Sequence, residues 1–221
     1  MTTSMTVVIP ARDEQELIER CLSSVTRAAR FADARIIVVA DSCSDDTAAI
    51  ARGFRGVEVV EVDAGNVGRA RAEGVARASS DWVATTDADS IVPPHWLTVQ
   101  QDLAESGADL VIGTVRPAPA DLTADEWVAW ELSHEDGRAL GHVHGANLGF
   151  RTSAYRAVGG FAPLAEHEDA DLVHRLRTAG FEISASDQCE VVTSGRRTGR
   201  TPGGYARYLR DELFASMPDP V

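Results

Sequence analysis

The sequence predicts an α/β domain in which helices flank a mostly parallel central sheet. Short apolar runs alternate with segments of helical periodicity through the first half of the 221-residue chain, and this order is typical of βαβ units. The apolar runs, such as 36–40 (IIVVA), do not alternate with polar residues, as expected for strands buried on both faces of a parallel sheet. The length and the 44% of hydrophobic residues suit one domain with a sizeable core.

The elements of the first half follow in regular order. The predicted strands are 6–9, 35–40, 57–62 and 82–86, and the predicted helices are 14–30, 45–53 and 66–79. The helix at 45–53 begins with carboxylates and ends at glycine, as helices tend to do. Strands joined by helices of this length indicate right-handed crossovers.

The second half is less regular. The predicted helices are 93–106, 126–140, 153–158, 168–179 and an amphipathic closing helix at 205–214. The predicted strands are 109–115, 145–151, 182–186 and 189–193. The segment 194–204 is rich in Gly and Arg, and we predict a mobile loop there.

Composition excludes several classes of function. A formal charge of −13 repels nucleic-acid phosphates and anionic membranes. The chain contains no lysine, so it can form neither a P-loop nor a lysine Schiff base. Its three cysteines lie far apart and indicate neither a disulfide framework nor a zinc site.

Targeting signals are also missing from the printed sequence. Residues 1–6 contain no basic segment followed by an apolar run, so we expect no signal peptide. No stretch reaches the ~20 apolar residues that span a bilayer. A cytoplasmic protein without a transmembrane segment is the expectation.

Polar side chains follow each predicted strand of the first half. They are found at 12–14, at Asp41 and Ser42, at Asp63 and at 87–89. In parallel sheets, ligands bind beyond the carboxyl ends of the strands. We therefore expect these groups to converge on one site.

The acidic turn Asp87-Ala88-Asp89 ends the strand at 82–86. In an extended segment, Asp87 and Asp89 would point the same way because side chains alternate. Mg²⁺ and Mn²⁺ are usually held by one or two carboxylates together with substrate phosphates. A cation between this turn and a phosphate is one interpretation, and two aspartates that merely cap the next turn are the other.

Two further side chains suit a nucleotide. Asp41 follows the second strand directly and could accept a hydrogen bond from a nucleobase N–H; the alternative is a helix cap. Arg71 stands near the start of the third helix, where a buried guanidinium could meet a diphosphate with two parallel hydrogen bonds. The alternative for Arg71 is a solvated helix face.

The segment 166–171 contains four acidic residues at the start of a predicted helix. Part of this matches the helix dipole, but four acids exceed what capping needs. Mutual repulsion would raise the pKa of at least one of them, and a carboxylate with a raised pKa is suited to act as a general base.

Five motifs in order make the chain resemble family 2 glycosyltransferases, which have the GT-A fold, from about residue 6 to 193. The matching segments are 7–14, 38–47, 70–74, 86–90 and 168–176, and 145–147 and 159–161 also fit. Three positions depart from the family pattern: Asp13 replaces the commoner Asn, Ala40 replaces the first Asp of the second motif, and Ala72 replaces Asn.

The resemblance implies a role for each matched residue. The donor, a UDP- or GDP-linked sugar, would contact Pro10, Ala11, Asp13 or Glu14, Asp41, Arg71, Asp87, Ala88 and Asp89. Within this set, Asp87 would touch the ribose and Asp89 would hold Mn²⁺ or Mg²⁺ on the diphosphate. Asp169 would take the proton of the acceptor, and Glu168 would orient the acceptor or support the base. Most members invert at the anomeric carbon, which implies a one-step displacement with metal-assisted departure of the diphosphate.

The resemblance also implies an organisation of the single domain 1–221. Residues 1–115 would form the nucleotide-sugar-binding half, 116–193 the acceptor and catalytic half, and 194–221 the mobile loop and closing helix. Since little chain follows the Glu-Asp helix, we expect a small or partner-supplied acceptor. The oligomeric state is not readable.

Two assignments remain open at this stage. His144 shares one side of an extended segment with His142, and it is either a metal or donor-sugar contact or a structural histidine. The basic residues Arg196, Arg197 and Arg200 would close over the diphosphate, meet an anionic acceptor or be solvated.

Three alternative functions compete with sugar transfer. A non-catalytic nucleotide-sugar-binding protein is disfavoured because the chain keeps both Asp89 and Asp169. A sugar-nucleotide pyrophosphorylase is disfavoured because the loop after Ile9 contains no glycine and the chain contains no lysine. A Rossmann oxidoreductase is disfavoured because Gly65 and Gly68 do not have the dinucleotide-binding spacing.

Overall fold

The computed structural model describes residues 3–134, 142–199 and 204–215. Within these ranges seven strands form one sheet: β1 Met5–Ala11, β2 Arg35–Asp41, β3 Val57–Val62, β4 Trp82–Thr85, β5 Leu110–Pro117, β6 Leu148–Arg151 and β7 Ile183–Thr193. The strand order is β3-β2-β1-β4-β6-β5-β7. Only β6 runs antiparallel to its neighbours among the described strands, so the predicted mostly parallel sheet is confirmed.

Helices cover both faces of this sheet. Their bounds are α1 Ile18–Ala32, α2 Thr47–Arg52, α3 Val67–Arg77, α4 Trp96–Glu105, α5 Ala124–Ser133, α6 Thr152–Ala157, α7 Glu168–Thr178 and α8 Tyr205–Arg207. The closing helix continues from α8 as a π-helical segment, Tyr208–Leu213. None of the helices in the described ranges has both the length and the apolar character needed to cross a bilayer.

The core lies on both sides of the sheet, which explains the uninterrupted apolar strands. Along β1, Val7 and Ile9 belong to the hydrophobic cluster that contains residues of α1 and α4, whereas Val8 belongs to the cluster that contains residues of α3 and α7. Successive side chains of a strand point to opposite faces of the sheet. A strand that is covered on both faces therefore has apolar residues at nearly every position instead of alternating apolar and polar ones.

The sequence prediction was wrong at the end of the sheet. Two final strands were predicted, but a single strand, β7, runs through the polar pair Asp187-Gln188. Its register with β5 shifts between Gly113 and Val115, and a bulge of this kind accommodates an irregularity without ending the strand. Since β7 is an edge strand, exposed polar residues are tolerated there.

Helix boundaries differ from the prediction at two places. α1 begins at Ile18 rather than at residue 14. The Glu14 amide donates to Thr47 Oγ1 (2.7 Å) and so ties Glu14 to the next βα loop. α5 begins at Ala124 because Thr123 and Glu126 form a capping box. The predicted end of this helix falls on residues 135–140, which lie outside the described residues.

Close packing of α3 on the sheet makes Gly74 a sensitive position. A Cβ on Gly74 would lie 2.3 Å from Val8 Cγ1 and 3.1 Å from Val39 Cγ2. Gly→Ala inside a helix ordinarily stabilises by about 1 kcal/mol, but overpacking a core costs about 1–3 kcal/mol. We expect Gly74→Ala to lower the free energy of unfolding, measured by urea denaturation.

The matched control is Ala76→Gly, at an exposed position of the same helix. It removes a methyl group without touching the core, so it should cost about 1 kcal/mol through helix propensity alone. A Gly74→Ala variant more stable than the parent protein would show that α3 does not pack as closely as described.

Candidate active site

The carboxyl ends of β1, β2 and β4 open into one cavity of about 810 Å³. Its lining includes eight residues that follow these strands or end them: Pro10, Ala11, Arg12, Glu14, Asp41, Asp87, Ala88 and Asp89. The expected convergence of polar groups is therefore confirmed for these positions. Asp13, Ser42 and Asp63, which were expected to join them, are not part of the lining.

Asp41 organises the loop that leads into α3. Its Oδ1 accepts hydrogen bonds from the amides of Ala64 and Gly65 (2.8 and 2.9 Å) and from Ser42 Oγ (3.0 Å), and its Oδ2 accepts from the amide of Asn66 (3.1 Å). Burial by itself would raise the pKa of Asp41, but these bonds outweigh it and lower the pKa. The carboxylate stays charged, and Oδ2 keeps acceptor capacity for a ligand.

Asp13 supports a neighbouring loop instead of the cavity. It has a positive φ of 50°, and its Oδ1 accepts hydrogen bonds from Ser44 N (2.7 Å) and Ser44 Oγ (3.1 Å). The family resemblance implies that Asp13 or Glu14 contacts the nucleotide, and of the two Glu14 lines the cavity.

Asp13, Cys43 and Asp45 form the one group of three possible metal-ligating side chains found among the described residues. Their oxygens already have partners, since Asp45 Oδ1 accepts from Thr47 N and Asp45 Oδ2 from Gln15 N. Burial raises the pKa of the Cys43 thiol, and a protonated thiol is a poor ligand. We assign this group to the stability of the loop.

The acidic turn does not have the extended conformation predicted for it. β4 ends at Thr85, and the backbone turns so that the amide of Ser90 donates to Asp87 O (3.1 Å). Ile91 then pairs with Val192 in an isolated antiparallel bridge, which draws the turn towards the end of β7. The rule of alternating side chains does not apply to a turn, and the two carboxylates consequently have different partners.

Asp89 faces the end of β7. Its Oδ1 lies 3.3 Å from Thr193 Oγ1 and 3.4 Å from Ser90 Oγ, and its Oδ2 lies 3.0 Å from a guanidinium nitrogen of Arg196. Burial, followed by repulsion from Asp87, raises the pKa of Asp89 to about 6, although Arg196 opposes the shift. A buried carboxylate under repulsion gains from a nearby cation, so Asp89 suits a divalent metal ion shared with a phosphate.

Asp87 faces α3 and α7 through Arg71. The buried guanidinium of Arg71 donates to Asp87 Oδ1 (2.5 Å) and also bonds Glu168, the first residue of α7. The predicted partner of Arg71 is a diphosphate, whereas in the structure Arg71 joins two carboxylates. A Cβ on Gly145 would lie 2.4 Å from Arg71 Nη2, which explains a glycine at that position.

Asp169 lines the same cavity at the N-terminus of α7. Its Oδ2 accepts a hydrogen bond from the amide of Gly145 (2.6 Å). His167, just before the helix, has a φ of 61°, an uncommon conformation for a residue other than glycine. Arg71 neutralises Glu168, so the crowding of acids expected from the sequence is relieved by pairing.

His144 is a neutral ring beside this group. Burial lowers its pKa to about 4, although the charge of Asp169 opposes the shift. Its ring packs edge-on against Tyr205 with centroids 5.6 Å apart, and it lies 6.1 Å from the ring of His142. A neutral imidazole can ligate a metal, but among the described residues no three-ligand group includes His144. Its metal role stays a prediction.

Arg196 and Arg197 are held by acids of distant segments. Arg196 donates two hydrogen bonds to Glu14 (2.7 and 2.9 Å). Arg197 pairs with Glu126 and lies over the ring of Phe214, 4.4 Å from its centroid. The Arg196–Glu14 pair spans 182 positions of sequence, and no local pattern signals such a pair.

One wall of the cavity is aromatic, and the sequence predictions do not include it. It consists of four of the rings in the cavity lining: His134, His142, Tyr205 and Tyr208. Tyr205 and Tyr208 lie 5.9 Å apart, and His142 lies 5.9 Å from Tyr208. The available signal was the spacing of the two tyrosines, one helical turn apart in a segment that was read only as a closing helix.

Comparison with known sequences identifies relatives of this chain. Residues 6–159 match the family described as "Glycosyl transferase family 2". The succinoglycan biosynthesis protein ExoA of Rhizobium meliloti is 28% identical over 86% of the chain and 63% of that protein. A protein named as an uncharacterized glycosyltransferase, YaiP of Escherichia coli, is 30% identical over 92% of the chain and 57% of that protein. The chain thus spans less than two thirds of both relatives.

Solved structures with a similar fold are also found. The crystal structure of S. aureus TarS 1-349 in complex with UDP-GlcNAc superposes with a TM-score of 0.70 at 14% identity, covering 91% of this chain and 61% of that one. Its complex with UDP gives a TM-score of 0.67. At this level of identity the likeness concerns the fold, and the fold expected from the sequence motifs is confirmed.

Proposed function

The chain belongs to glycosyl transferase family 2, and from that premise we propose that it transfers a sugar from a UDP- or GDP-linked donor to an acceptor hydroxyl, with inversion and with the help of a divalent metal ion. The observation that carries the proposal is the single cavity that collects Asp41, Asp89 and Asp169. A carboxylate is suited to each of three tasks in sugar transfer from a nucleotide: binding the nucleoside, holding the metal and accepting a proton.

The nucleoside belongs at the β2 end of the cavity. Pro10 and Ala11 supply the wall, and Asp41 supplies a charged acceptor already fixed by backbone amides. A ligand that hydrogen-bonds a fixed carboxylate meets little conformational cost. Asp87 is paired with Arg71 of α3, and about one third of its side chain remains exposed. Its carboxylate can therefore accept a hydrogen bond from a ribose hydroxyl while Arg71 holds it. The solved complex of TarS with UDP-GlcNAc supports a uridine diphosphate donor.

Asp89 would hold Mn²⁺ or Mg²⁺ against the diphosphate. The fit rests on its surroundings, because its Oδ2 already accepts from a cationic group and its burial raises its pKa. When bound, such an ion would neutralise charge on the departing nucleoside diphosphate. One protein carboxylate together with phosphate oxygens and waters is an ordinary ligand set for these ions.

Asp169 would act as the general base. The acceptor oxygen attacks the anomeric carbon, the bond from that carbon to the diphosphate oxygen breaks, and the acceptor proton passes to a carboxylate oxygen of Asp169. The amide of Gly145 holds Oδ2 and so fixes the direction of the carboxylate. Glu168 would support the base indirectly, because its pairing with Arg71 fixes the start of α7.

The acceptor would enter beside the aromatic wall of His134, His142, Tyr205 and Tyr208. These rings line the same cavity as Asp169. Aromatic faces bind the apolar faces of small molecules, while hydroxyl and imidazole groups offer hydrogen bonds. This arrangement supports a small or partner-supplied acceptor.

A thermal-shift screen tests the proposed donor. The protein is heated with UDP-, GDP- and dTDP-sugars, each with Mn²⁺ and with a chelator, and release of nucleoside diphosphate is then assayed for those that bind. A ligand at about 100 times its Kd stabilises by ~2.7 kcal/mol, which shifts Tm by roughly 5–11 °C for a chain of this size. We expect sugars of one nucleotide class to stabilise the protein and to release nucleoside diphosphate, and only in the presence of Mn²⁺. A screen without any stabilising nucleotide would overturn the proposal.

A further inference from the structure

Arg196 occupies a cation-binding position between two acidic residues of the cavity. Its guanidinium makes two hydrogen bonds to Glu14 and lies 3.0 Å from Asp89 Oδ2. Both carboxylates are largely buried, with side-chain exposures of 6% for Glu14 and 14% for Asp89. A buried carboxylate is costly unless it is paired or hydrogen-bonded, and Arg196 provides both kinds of contact here.

Among the described contacts, the guanidinium of Arg196 reaches both carboxylates at once, and Asp87 adds repulsion to Asp89. A divalent ion on Asp89 would supply two positive charges where Arg196 supplies one. The same ion would also carry a diphosphate, which brings negative charge into a cavity where the described acids outnumber the arginines.

We propose that Arg196 holds the cation position on Asp89 and Glu14 until metal and donor bind, and that its guanidinium then transfers to the donor diphosphate. This inference rests on the proposed function. Arginine is suited to both states, since its planar fork matches carboxylate and phosphate with paired hydrogen bonds. Arg196 lines the same cavity as Asp89 and Asp41, so a diphosphate bound in this cavity would lie close to the Arg196 side chain.

The backbone around Arg196 is fixed from both sides. The amide of Gly195 donates to Asp121 Oδ2 (2.8 Å), and Arg197 O accepts from Arg210 (3.0 Å). Arg197 itself pairs with Glu126. The transfer is therefore a change of side-chain rotamer on a held backbone, and it needs no displacement of the segment 194–199.

Removal of Arg196 should change two affinities in opposite directions. In Arg196→Met, Mn²⁺ alone no longer competes with a guanidinium, and we expect it to bind at least about tenfold more tightly. The same variant lacks the guanidinium that would bind the diphosphate, so UDP in the presence of saturating Mn²⁺ should bind about tenfold more weakly. Mn²⁺ binding is read from the free-ion electron paramagnetic resonance signal, and UDP binding from calorimetry.

Arg197→Met is the matched control. It removes the same charge one position along the chain, but Arg197 pairs with Glu126 and Phe214 instead of the cavity acids. Its Mn²⁺ affinity should therefore equal that of the parent protein. An equal gain in both variants would mean that net charge alone sets the affinity, and this would overturn the proposal.

A second substitution guards against a folding defect. Arg196→Gln keeps hydrogen-bonding atoms without charge and must change both affinities in the same directions as Arg196→Met. Unchanged Mn²⁺ affinity in both variants, or weaker binding of both Mn²⁺ and UDP, would refute the transfer of Arg196. The Mn²⁺ measurement uses no nucleotide, so it remains readable even if UDP fails to bind the parent protein, which would count against the proposed function instead.

Discussion

Asp169→Asn is expected to lower kcat for sugar transfer by about 10²–10⁴-fold, the usual contribution of a general base. Asparagine has the same shape, and its carbonyl oxygen can still accept the hydrogen bond that Gly145 donates to Asp169 Oδ2. It cannot accept a proton from the acceptor. Donor binding should be unchanged, because Asp41 and Asp89 are untouched. Initial rates with a purified donor give kcat, and calorimetry with UDP and Mn²⁺ gives the affinity for the nucleotide.

Asp171→Asn is the matched control for this prediction. Asp171 lies in the same helical turn but pairs with Arg175, four residues later (2.7 Å), and it does not line the cavity. Its loss removes an acid from the N-terminus of α7 without removing the proposed base. If Asp171→Asn and Asp169→Asn lowered kcat equally, the effect would come from the helix terminus, and Asp169 would not be the base.

The first half of the fold was predictable because its signals are local. The strand at 57–62 was predicted with the bounds that β3 has, and Asn66 caps α3 by accepting from Arg69 N (3.0 Å) where the predicted helix began. Apolar runs bounded by helix caps and glycines specify such elements within ten residues or so. The convergence of polar groups then follows from the parallel sheet itself.

The partners of the site residues were not predictable, because they come from distant segments. Arg71 was expected on a phosphate but bonds Asp87 and Glu168, and the latter is 97 positions away. The contact that draws the acidic turn towards β7, the bridge from Ile91 to Val192, likewise joins residues that lie far apart in the chain. Periodicity specifies which face a residue takes, whereas ion pairs depend on the full topology.

Asp89→Asn is expected to abolish the dependence of donor binding on Mn²⁺. Removing groups that only orient metal ligands costs 10–100-fold in metal affinity, so loss of the ligand itself should weaken Mn²⁺-dependent UDP binding by at least about 100-fold. Calorimetric titration of UDP with Mn²⁺ and with a chelator measures this. Equal binding under both conditions in the parent protein would contradict the assignment of Asp89 to the metal.

Loss of binding in Asp89→Asn should not arise from unfolding. Burial and repulsion from Asp87 raise the pKa of Asp89 to about 6, so at neutral pH the ionised side chain makes the folded state less stable than it would be with an ordinary pKa. A neutral asparagine avoids that cost and can still bond Thr193, while Arg196 keeps its two bonds to Glu14. We therefore expect the urea midpoint to stay the same or rise.

Asp87→Asn separates the two carboxylates of the turn. Asp87 pairs with Arg71, whereas Asp89 pairs with Arg196. Loss of the Asp87 carboxylate should therefore weaken UDP binding but leave the requirement for Mn²⁺ in place. It also removes the repulsion that Asp87 exerts on Asp89. If Asp87→Asn abolished the Mn²⁺ requirement and Asp89→Asn did not, the metal would belong to Asp87, and the division of roles within the turn would be reversed.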